Sequence, residues 1–351
     1  MSTFINGDDN VASGGGKNKS YVGRIMVDFI TYGPVPSRRL GRSLGVNNIP
    51  PKTCSYSCVY CQLGKTMNMS VERKNFYEPA EIADKVHDKL KQSKKNGEII
   101  DYLAFVPDGE STLDVNLGKE IGLLRSFGIK IAVITNASLI WHEDVRQDLQ
   151  KADWVSLKVD AVTKEIWRQI DRPHKLLNLD KILDGILDFR RIFRGELVTE
   201  SMLIQGINDN SQELERIANF LTELNPDRSY LAIPIRPPAK NTINAASEET
   251  INLAYQIFTD RLINVEYLIG YEGNAFAFTG NIENDLLSIT SVHPMREDAI
   301  TELVKKANAG WDVVKELIKD GKLIETEYKG RKYYMRKLSQ SGSQRNKDDR
   351  K

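Results

Sequence analysis

Three cysteines close together near the start of the chain are the residues best able to do chemistry. They stand in the run Cys54-Ser-Tyr-Ser-Cys58-Val-Tyr-Cys61, which spans eight positions and contains every cysteine of the 351-residue chain. The cysteines of a disulfide framework are spread across a domain, so this grouping indicates one metal site instead. Three thiolates can hold three irons of a cubane cluster and leave the fourth iron open to a substrate.

A structural zinc site is the alternative interpretation of this loop. Zinc in that role usually takes four protein ligands, and neither a histidine nor a fourth cysteine lies near the loop in the sequence. The number of ligands therefore favours the cluster. With three cysteines in the chain, a second cluster held entirely by cysteine is excluded.

The elements that must position this loop follow a repeating pattern. Short β-branched runs predict six strands, at residues 43–49, 102–106, 129–135, 154–160, 197–205 and 230–236. Segments of helical period separate them, with apolar residues such as Ile82, Val86 and Leu90 on one face. Six strand–helix units in a row predict an α/β fold of parallel strands, either a β/α barrel or a doubly wound sheet.

The strand at 154–160 favours the barrel. Its apolar side chains alternate with Ser156, Lys158 and Asp160, so one face of the strand is polar. A strand inside a parallel sheet is covered on both faces, and a buried polar face needs either ion pairing or a wet cavity. We therefore predict a partial (β/α)6 TIM-like barrel whose lumen is an active site.

The pattern changes after about residue 285. Predicted helices at 296–307 and 311–319 precede two short strands at 323–328 and 331–337, which is typical of a small winged-helix module. The predicted organisation is a disordered tail at 1–22, the barrel at 23–285, the winged-helix module at 286–338 and a second disordered tail at 339–351.

Composition limits the partners and the location. The chain has 49 lysines and arginines against 48 acidic residues, so any basic surface must be local. No run approaches the roughly 18 apolar residues of a membrane span, and the N-terminus lacks the apolar segment of a signal peptide. We expect a cytoplasmic protein with no membrane association.

The cysteine spacing, with an aromatic residue directly before the last cysteine, resembles the signature of the radical S-adenosylmethionine (SAM) superfamily. Further motifs look like the branch related to wyosine-tRNA synthases: Tyr32-Gly-Pro-Val-Pro-Ser-Arg-Arg-Leu-Gly41, Cys61-Gln-Leu-Gly64, Asp108-Gly-Glu-Ser-Thr112, Ile134-Thr-Asn136 and His293-Pro-Met-Arg296. The wyosine synthases themselves carry further cysteines, which this chain lacks. The resemblance implies a [4Fe-4S] cluster on Cys54, Cys58 and Cys61, with SAM bound at its open iron.

The resemblance also implies which residues bind SAM. Glu110, in the motif Asp108-Gly109-Glu110, matches the acidic position that accepts hydrogen bonds from the cofactor ammonium, and Tyr60 corresponds to a residue that touches the adenine. The positions that contact the ribose and carboxylate are Asn136, Ser156, Lys158 and Asp160. From the residues alone, a structural Lys158–Asp160 ion pair is an equally good interpretation.

Substrate residues are predicted from their places in the chain. Gly206, Asn208 and Arg236 fall at C-terminal strand ends, where barrel enzymes keep their sites, and His174 lies in a neighbouring loop. Arg236 could hold a phosphate or carboxylate, with a surface arginine as the alternative. Lys329, Arg331 and Lys332 in the predicted wing could contact RNA phosphates.

The predicted function is that of a radical SAM enzyme. The resemblance implies an electron donor such as ferredoxin or flavodoxin, reductive cleavage of SAM to a 5′-deoxyadenosyl radical, and hydrogen abstraction from a second substrate. RNA is one substrate hypothesis, and a small molecule or peptide is the other. A redox-sensing, DNA-binding iron–sulfur regulator is the alternative outside enzymes.

Overall fold

Parallel strands alternating with helices form the centre of the molecule. A computed structural model describes residues 30–262 and 264–337. The predicted tails at 1–22 and 339–351 lie outside these residues. The largest sheet has eight strands: β1 (Thr31–Ser37), β2 (Gly41–Val46), β5 (Tyr102–Phe105), β6 (Lys130–Thr135), β7 (Trp154–Lys158), β8 (Glu196–Met202), β9 (Arg228–Ala232) and β10 (Val265–Leu268). The short strands β3 (Thr53–Cys54) and β4 (Asn68–Met69) pair with each other outside it. The strand order of the large sheet is β1-β2-β5-β6-β7-β8-β9-β10.

All the ladders of this sheet are parallel except the first, in which β1 runs antiparallel to β2. From β2 onward each strand pairs with the next long strand in the chain, so the fold is a mixed α/β fold of sequential strand–helix units. The connecting helices are α1 (Pro79–Lys95), α2 (Leu117–Leu124), α3 (Glu143–Leu149), α4 (Lys164–Ile170), α5 (Leu179–Ile192), α6 (Ser211–Leu224) and α7 (Glu248–Thr259).

The two faces of the sheet differ in chemistry, as the alternation in strand 154–160 predicts. Leu103, Val133 and Leu157 point toward the helices and belong to the main hydrophobic core, which includes Ile82 and Ile217 of the amphipathic helices α1 and α6. The opposite face carries a smaller apolar cluster and then polar side chains. That face lines the cavity described below.

Six strands were predicted and the sheet has eight. The two additional strands carry weak sequence signals: β1 contains Pro34 and Pro36, which cannot donate to a ladder, and β10 has four residues with an irregular burial pattern. Tyr32 of β1 packs on Gly45 of β2, where a Cβ would lie 2.0 Å from the Tyr32 ring. The glycine therefore makes room for this aromatic side chain.

The segment after β10 forms a second hydrophobic cluster. It contains α8 (Ile282–Val292), β11 (Met295–Arg296), α9 (Glu297–Lys306), α10 (Asp312–Lys319), β12 (Leu323–Tyr328) and β13 (Arg331–Arg336). The short strands form a sheet in the order β11-β13-β12. The cluster also includes Tyr32 and Val35 of β1, so this segment packs on the edge of the main sheet.

The C-terminal elements follow the predicted order of two helices and a hairpin. The predicted boundary at residue 285 falls within α8, and β11 adds a strand that was not predicted. Within the part of the chain that the structure describes, no helix is both long and apolar enough to cross a membrane.

Candidate functional site

One cavity of about 330 Å³ brings the cysteine loop together with polar residues from the strand ends. The predicted residues that line it are Cys54, Cys58, Cys61, Tyr60, Asp108, Gly109, Glu110, Asn136, Lys158 and Arg236. The lining also includes Arg38, Arg39, Gln62, Glu200, Glu272 and Val292. The carboxyl ends of parallel strands thus converge on the cysteines.

The cysteine loop is held by short strands and by its neighbours. β3 (Thr53–Cys54) pairs with β4 (Asn68–Met69), and the Cys58 thiol donates to Asp171 Oδ1 at 3.3 Å. The Nδ2 of Asn136 lies 3.5 Å from Cys54 Sγ. Burial raises the pKa of all three thiols, so cluster assembly on this loop must displace three protons.

The arrangement of ligands distinguishes one ion from a cluster. Across residues 30–262 and 264–337, no three His, Cys, Asp or Glu side chains converge closely enough to hold a single metal ion. A cubane cluster instead takes each thiolate on a different iron. Three cysteines around one cavity fit that requirement.

Gly109 lets the acidic loop lie directly against the cysteine strand. A Cβ on Gly109 would lie 1.9 Å from the carbonyl oxygen of Thr53. The backbone N–H of Glu110 donates to that same oxygen at 3.1 Å, and the N–H of Lys52 donates to the Asp108 carbonyl at 2.7 Å. The acidic motif and the cysteine loop are therefore fixed relative to each other.

The two carboxyl groups of this motif differ in their hydrogen bonds. Glu110 Oε1 accepts from Thr112 and Thr135, and Oε2 accepts from the backbone N–H of Asn136 at 2.8 Å. Asp108 Oδ2 is buried without a hydrogen-bond partner in the described chain, and its Oδ1 lies 3.7 Å from Lys52 Nζ. Burial raises the pKa of Asp108 to about 6, although Lys52 opposes the shift.

Lys158 is the centre of an ion cluster on the polar face of the sheet. Its Nζ lies 2.9 Å from Glu200 Oε1 and 3.3 Å from Asp160 Oδ1, and Arg39 donates to the other Glu200 oxygen. Burial acts to lower the pKa of Lys158, but Asp160 and Glu200 outweigh it and raise that pKa. Lys158 is therefore a charged group, and the predicted Lys158–Asp160 ion pair is present.

Tyr60 joins the cysteine loop to this cluster. Its hydroxyl donates to Asp160 Oδ2, and Lys158 Nζ lies 4.9 Å from the centre of its ring. Asp160 and Ser156 are buried beside the cavity rather than among its lining residues, and Ser156 Oγ lies 3.5 Å from Arg39 Nη1. The four predicted strand residues thus separate into Asn136 and Lys158 at the cavity and two behind it.

Three predicted substrate residues lie outside the cavity lining. Asn208 is buried, and its amide donates to the carbonyl of Met202 at the end of β8 and to the carbonyl of Asp160 after β7. Gly206 is exposed in that turn, and the backbone N–H of His174 donates to the Ser55 carbonyl at 2.9 Å, beside the cysteine loop. These residues shape the surroundings of the site.

The predicted wing residues lie around the β12–β13 turn. Lys329, Arg331 and Lys332 are exposed and do not line the cavity. Lys332 Nζ lies 3.1 Å from Glu325 Oε1, so part of its charge is already paired.

The sequence did not predict the ion pairs that Glu200 forms with Arg39 and Lys158 in the cavity lining. Arg39 and Glu200 are 161 positions apart, and no local motif connects them. The sequence contains one feature that could have identified Glu200, which is the single acidic residue of the predicted strand 197–205. In the structure this strand lies beside that of Lys158. A buried acid opposite a buried lysine is a pairing that strand register allows.

Comparisons with known proteins agree with the motifs. The sequence model of the Radical SAM superfamily matches residues 48–221. A UPF0026 protein of Methanocaldococcus jannaschii is 50% identical over 311 residues, which cover 88% of this chain and 96% of that protein. A UPF0026 protein of Helicobacter pylori is 34% identical over 226 residues, which cover 63% of this chain and 71% of that protein.

Solved structures are similar in fold. A radical SAM methyltransferase from Sphaerobacter thermophilus has a TM-score of 0.50 and 16% sequence identity, covering 65% of this chain and 66% of its own. TYW1 with a lysine–pyruvate adduct bound has the same score and identity, covering 63% of this chain and 74% of its own. The chain therefore belongs to the UPF0026 family within the radical SAM superfamily, and it is a radical SAM enzyme.

Proposed function

We propose that Cys54, Cys58 and Cys61 hold a [4Fe-4S] cluster and that the adjoining cavity binds SAM. The observation that carries the proposal is that the three cysteines, the acidic loop and Asn136 line the same cavity. The superfamily uses this cluster and this cofactor. When bound, the cluster would supply the electron that cleaves SAM, and SAM would supply the carbon radical that takes a hydrogen atom from the substrate.

The residues of this chain bind and orient the cofactor. Glu110 Oε2 and the unpaired Asp108 Oδ2 offer carboxylate oxygens to the SAM ammonium, which loses its water on entering the cavity. Asn136 holds the acidic loop to the cysteine strand. Ser156, Lys158 and Asp160 are proposed to support the ribose and carboxylate side, and Tyr60 to contact the adenine.

Two architectural proposals go with this site. The sequential strand order supports a partial barrel whose lumen is the cavity, and the helix–helix–hairpin order of α9, α10, β12 and β13 supports a winged-helix module. We propose the domain division at 23–285 and 286–338, with α8 crossing the boundary.

For the substrate, we propose RNA bound through the C-terminal module. Its support is the resemblance to the wyosine-tRNA synthases together with the exposed Lys329, Arg331 and Lys332. A small molecule is the second substrate hypothesis. It is supported by the cavity of about 330 Å³, whose lining includes Val292 of α8. The electron is proposed to come from a ferredoxin or flavodoxin.

The test of the function is SAM cleavage. Anaerobically reconstituted protein, reduced chemically and given SAM, should produce 5′-deoxyadenosine, and Cys58→Ala should not. Parent protein that holds a cluster but releases no 5′-deoxyadenosine with any reductant would overturn the proposal.

A further inference from the structure

One end of the cavity has a wall that is completed from outside the central strands. In the sheet order, β1 and β10 are the two edges and do not pair with each other. The lining residues at this end are Arg38 in the β1–β2 turn, Arg236 after β9, Glu272 after β10 and Val292 of α8. The proposed SAM ligands are different residues, which follow β2, β5 and β6.

Arg236 is buried at this end, and its Nε has no hydrogen-bond partner among the described residues. Its Nη1 donates to Gln62 Oε1 at 2.7 Å, and its Nη2 donates to Glu272 at 2.7 Å and to His293 Nε2 at 2.9 Å. Its side chain is 9% exposed, and its Nε is buried with no acceptor among the described residues. A buried donor of a charged group is costly to leave unpaired.

His293 adds no charge here. An arginine only donates, so His293 Nε2 must accept from Arg236, which requires a neutral imidazole with its proton on Nδ1. Burial and then the charge of Arg236 lower the pKa of His293 to about 3, which agrees with that state.

Arg38 faces the same space with little counter-charge. Its one carboxylate neighbour within 4 Å in the described chain is Glu272, at 3.8 Å, which exceeds hydrogen-bond length. Glu272 already accepts from Arg236 at 2.7 Å. Arg38 lines the cavity, and among residues 30–262 and 264–337 no acceptor lies within hydrogen-bond distance of its guanidinium.

The charges at this end do not balance. Arg39 and Lys158 are matched by Glu200 and Asp160, whereas Arg38 and Arg236 share Glu272. One positive charge and several N–H donors are left over. A planar or tetrahedral anion would satisfy both, because guanidinium groups bind carboxylate and phosphate oxygens in forked geometry.

We propose that Arg38 and the Nε of Arg236 bind a carboxylate or phosphate group of the substrate at this end of the cavity. The inference rests on the proposed function, because it places a second substrate beside SAM. To the proposed function it adds the chemical class of that substrate, which is an anion whose charged group enters the cavity. The carboxylate of SAM itself is the other source of the same chemistry, and the experiment separates the two.

The experiment compares Arg38→Gln with Arg42→Gln in the reconstituted protein. Arg42 belongs to the same hairpin and pairs with Glu98 at 2.7 Å, and it does not line the cavity. The thermal unfolding midpoint is measured against inorganic phosphate and against succinate, with chloride keeping the ionic strength constant. The affinity for SAM is measured by calorimetry in each protein.

The parent and Arg42→Gln should show a saturable rise in midpoint with at least one of the two anions, because a ligand that binds the folded state stabilises it. Arg38→Gln should bind that anion on the order of tenfold more weakly and keep the parent affinity for SAM. Arg38→Lys, which keeps the charge without the fork, should fall between them.

Three results would overturn the inference. The first is a parent protein that binds SAM normally and responds to neither anion. The second is an Arg38→Gln variant that responds to the anions as the parent does. The third is loss of SAM affinity in Arg38→Gln, which would assign the site to the cofactor carboxylate. Failure of the proposed function is different, since then the parent would hold no cluster or cleave no SAM.

Discussion

Gln62 accepts a hydrogen bond from the Nη1 of Arg236 at 2.7 Å. The Nε2 of Gln62 donates to the carbonyl oxygen of Val292 at 3.0 Å. Gln62 directly follows the last cysteine, Arg236 follows β9, and Val292 ends α8. One amide side chain therefore joins the cysteine loop to the strand-end arginine and to the C-terminal segment.

The Gln62→Ala variant should lower the free energy of unfolding by about 1–3 kcal/mol, because it removes both hydrogen bonds and leaves a donor of Arg236 unpaired. Denaturant unfolding measures the effect. Gln147→Ala is the control, since Gln147 bonds Glu143 on an exposed helix face, and its effect should stay within about 0.5 kcal/mol. Equal effects of the two changes would show that the Gln62 bridge stabilises nothing.

Replacing any one of Cys54, Cys58 and Cys61 by alanine should abolish cluster assembly, because each thiolate holds a different iron. Parent protein reconstituted without oxygen should hold about four irons and four sulfides per chain, with a spectrum that changes when SAM is added. Ser57→Ala, within the same loop, should keep the cluster, since Ser57 Oγ only accepts from Thr66. Tight stoichiometric zinc without iron uptake would contradict the prediction.

Glu110→Gln should weaken SAM binding by about 1.5–3 kcal/mol while the cluster still assembles, because it removes a charge-assisted hydrogen bond to the ammonium. Anaerobic calorimetry measures the affinity. Glu213→Gln is the control, because it makes the same substitution at a buried glutamate that accepts backbone hydrogen bonds and does not line the cavity. An unchanged affinity in Glu110→Gln would remove this residue from the site.

The sequence predicted the parts of this protein that are encoded locally. The helices could be read from apolar spacing, and six strands from β-branched runs, while β1 and β10 were missed because prolines and short length hide them. At the site, the cysteines, Asp108, Glu110 and Asn136 lie in short motifs and were found. The Gln62–Arg236 contact joins residues 174 positions apart, and such pairs depend on tertiary structure alone.

Stability should fall as pH rises, because of a buried acid pair behind the acidic loop. Burial, and then the charge of Asp114, raise the pKa of Glu120 to about 9 from 4.5. The folded chain therefore holds a proton that the unfolded chain loses above pH 4.5. The stability from this proton is complete below that pH and is lost progressively up to about pH 9, by at most about 1.4 kcal/mol per pH unit.

Denaturant unfolding at pH 6 and at pH 8.5 tests this in the parent and in Glu120→Gln. The variant should show a smaller drop between the two pH values, since glutamine carries no proton to lose. Glu143→Gln, at an exposed position, should keep the parent slope. Identical slopes in the parent and Glu120→Gln would mean that Glu120 ionises normally in the folded chain.

The last prediction concerns RNA binding by the β12–β13 hairpin. If RNA is the substrate, changing Lys329, Arg331 and Lys332 together to alanine should weaken binding and reduce the slope of log affinity against log salt by about 0.7–0.9 for each lost phosphate contact. Lys332 is already paired with Glu325, so Lys329 and Arg331 should account for most of the loss.

Glu325→Gln sharpens this test, because it frees Lys332 without adding a cation. That variant should bind RNA more tightly and with a steeper salt dependence than the parent, which is the opposite of the triple variant. Filter binding over a series of salt concentrations measures both. If neither variant differs from the parent at any salt concentration, the hairpin does not bind RNA. The small-molecule hypothesis then becomes the better account of the cavity that Val292 helps to line.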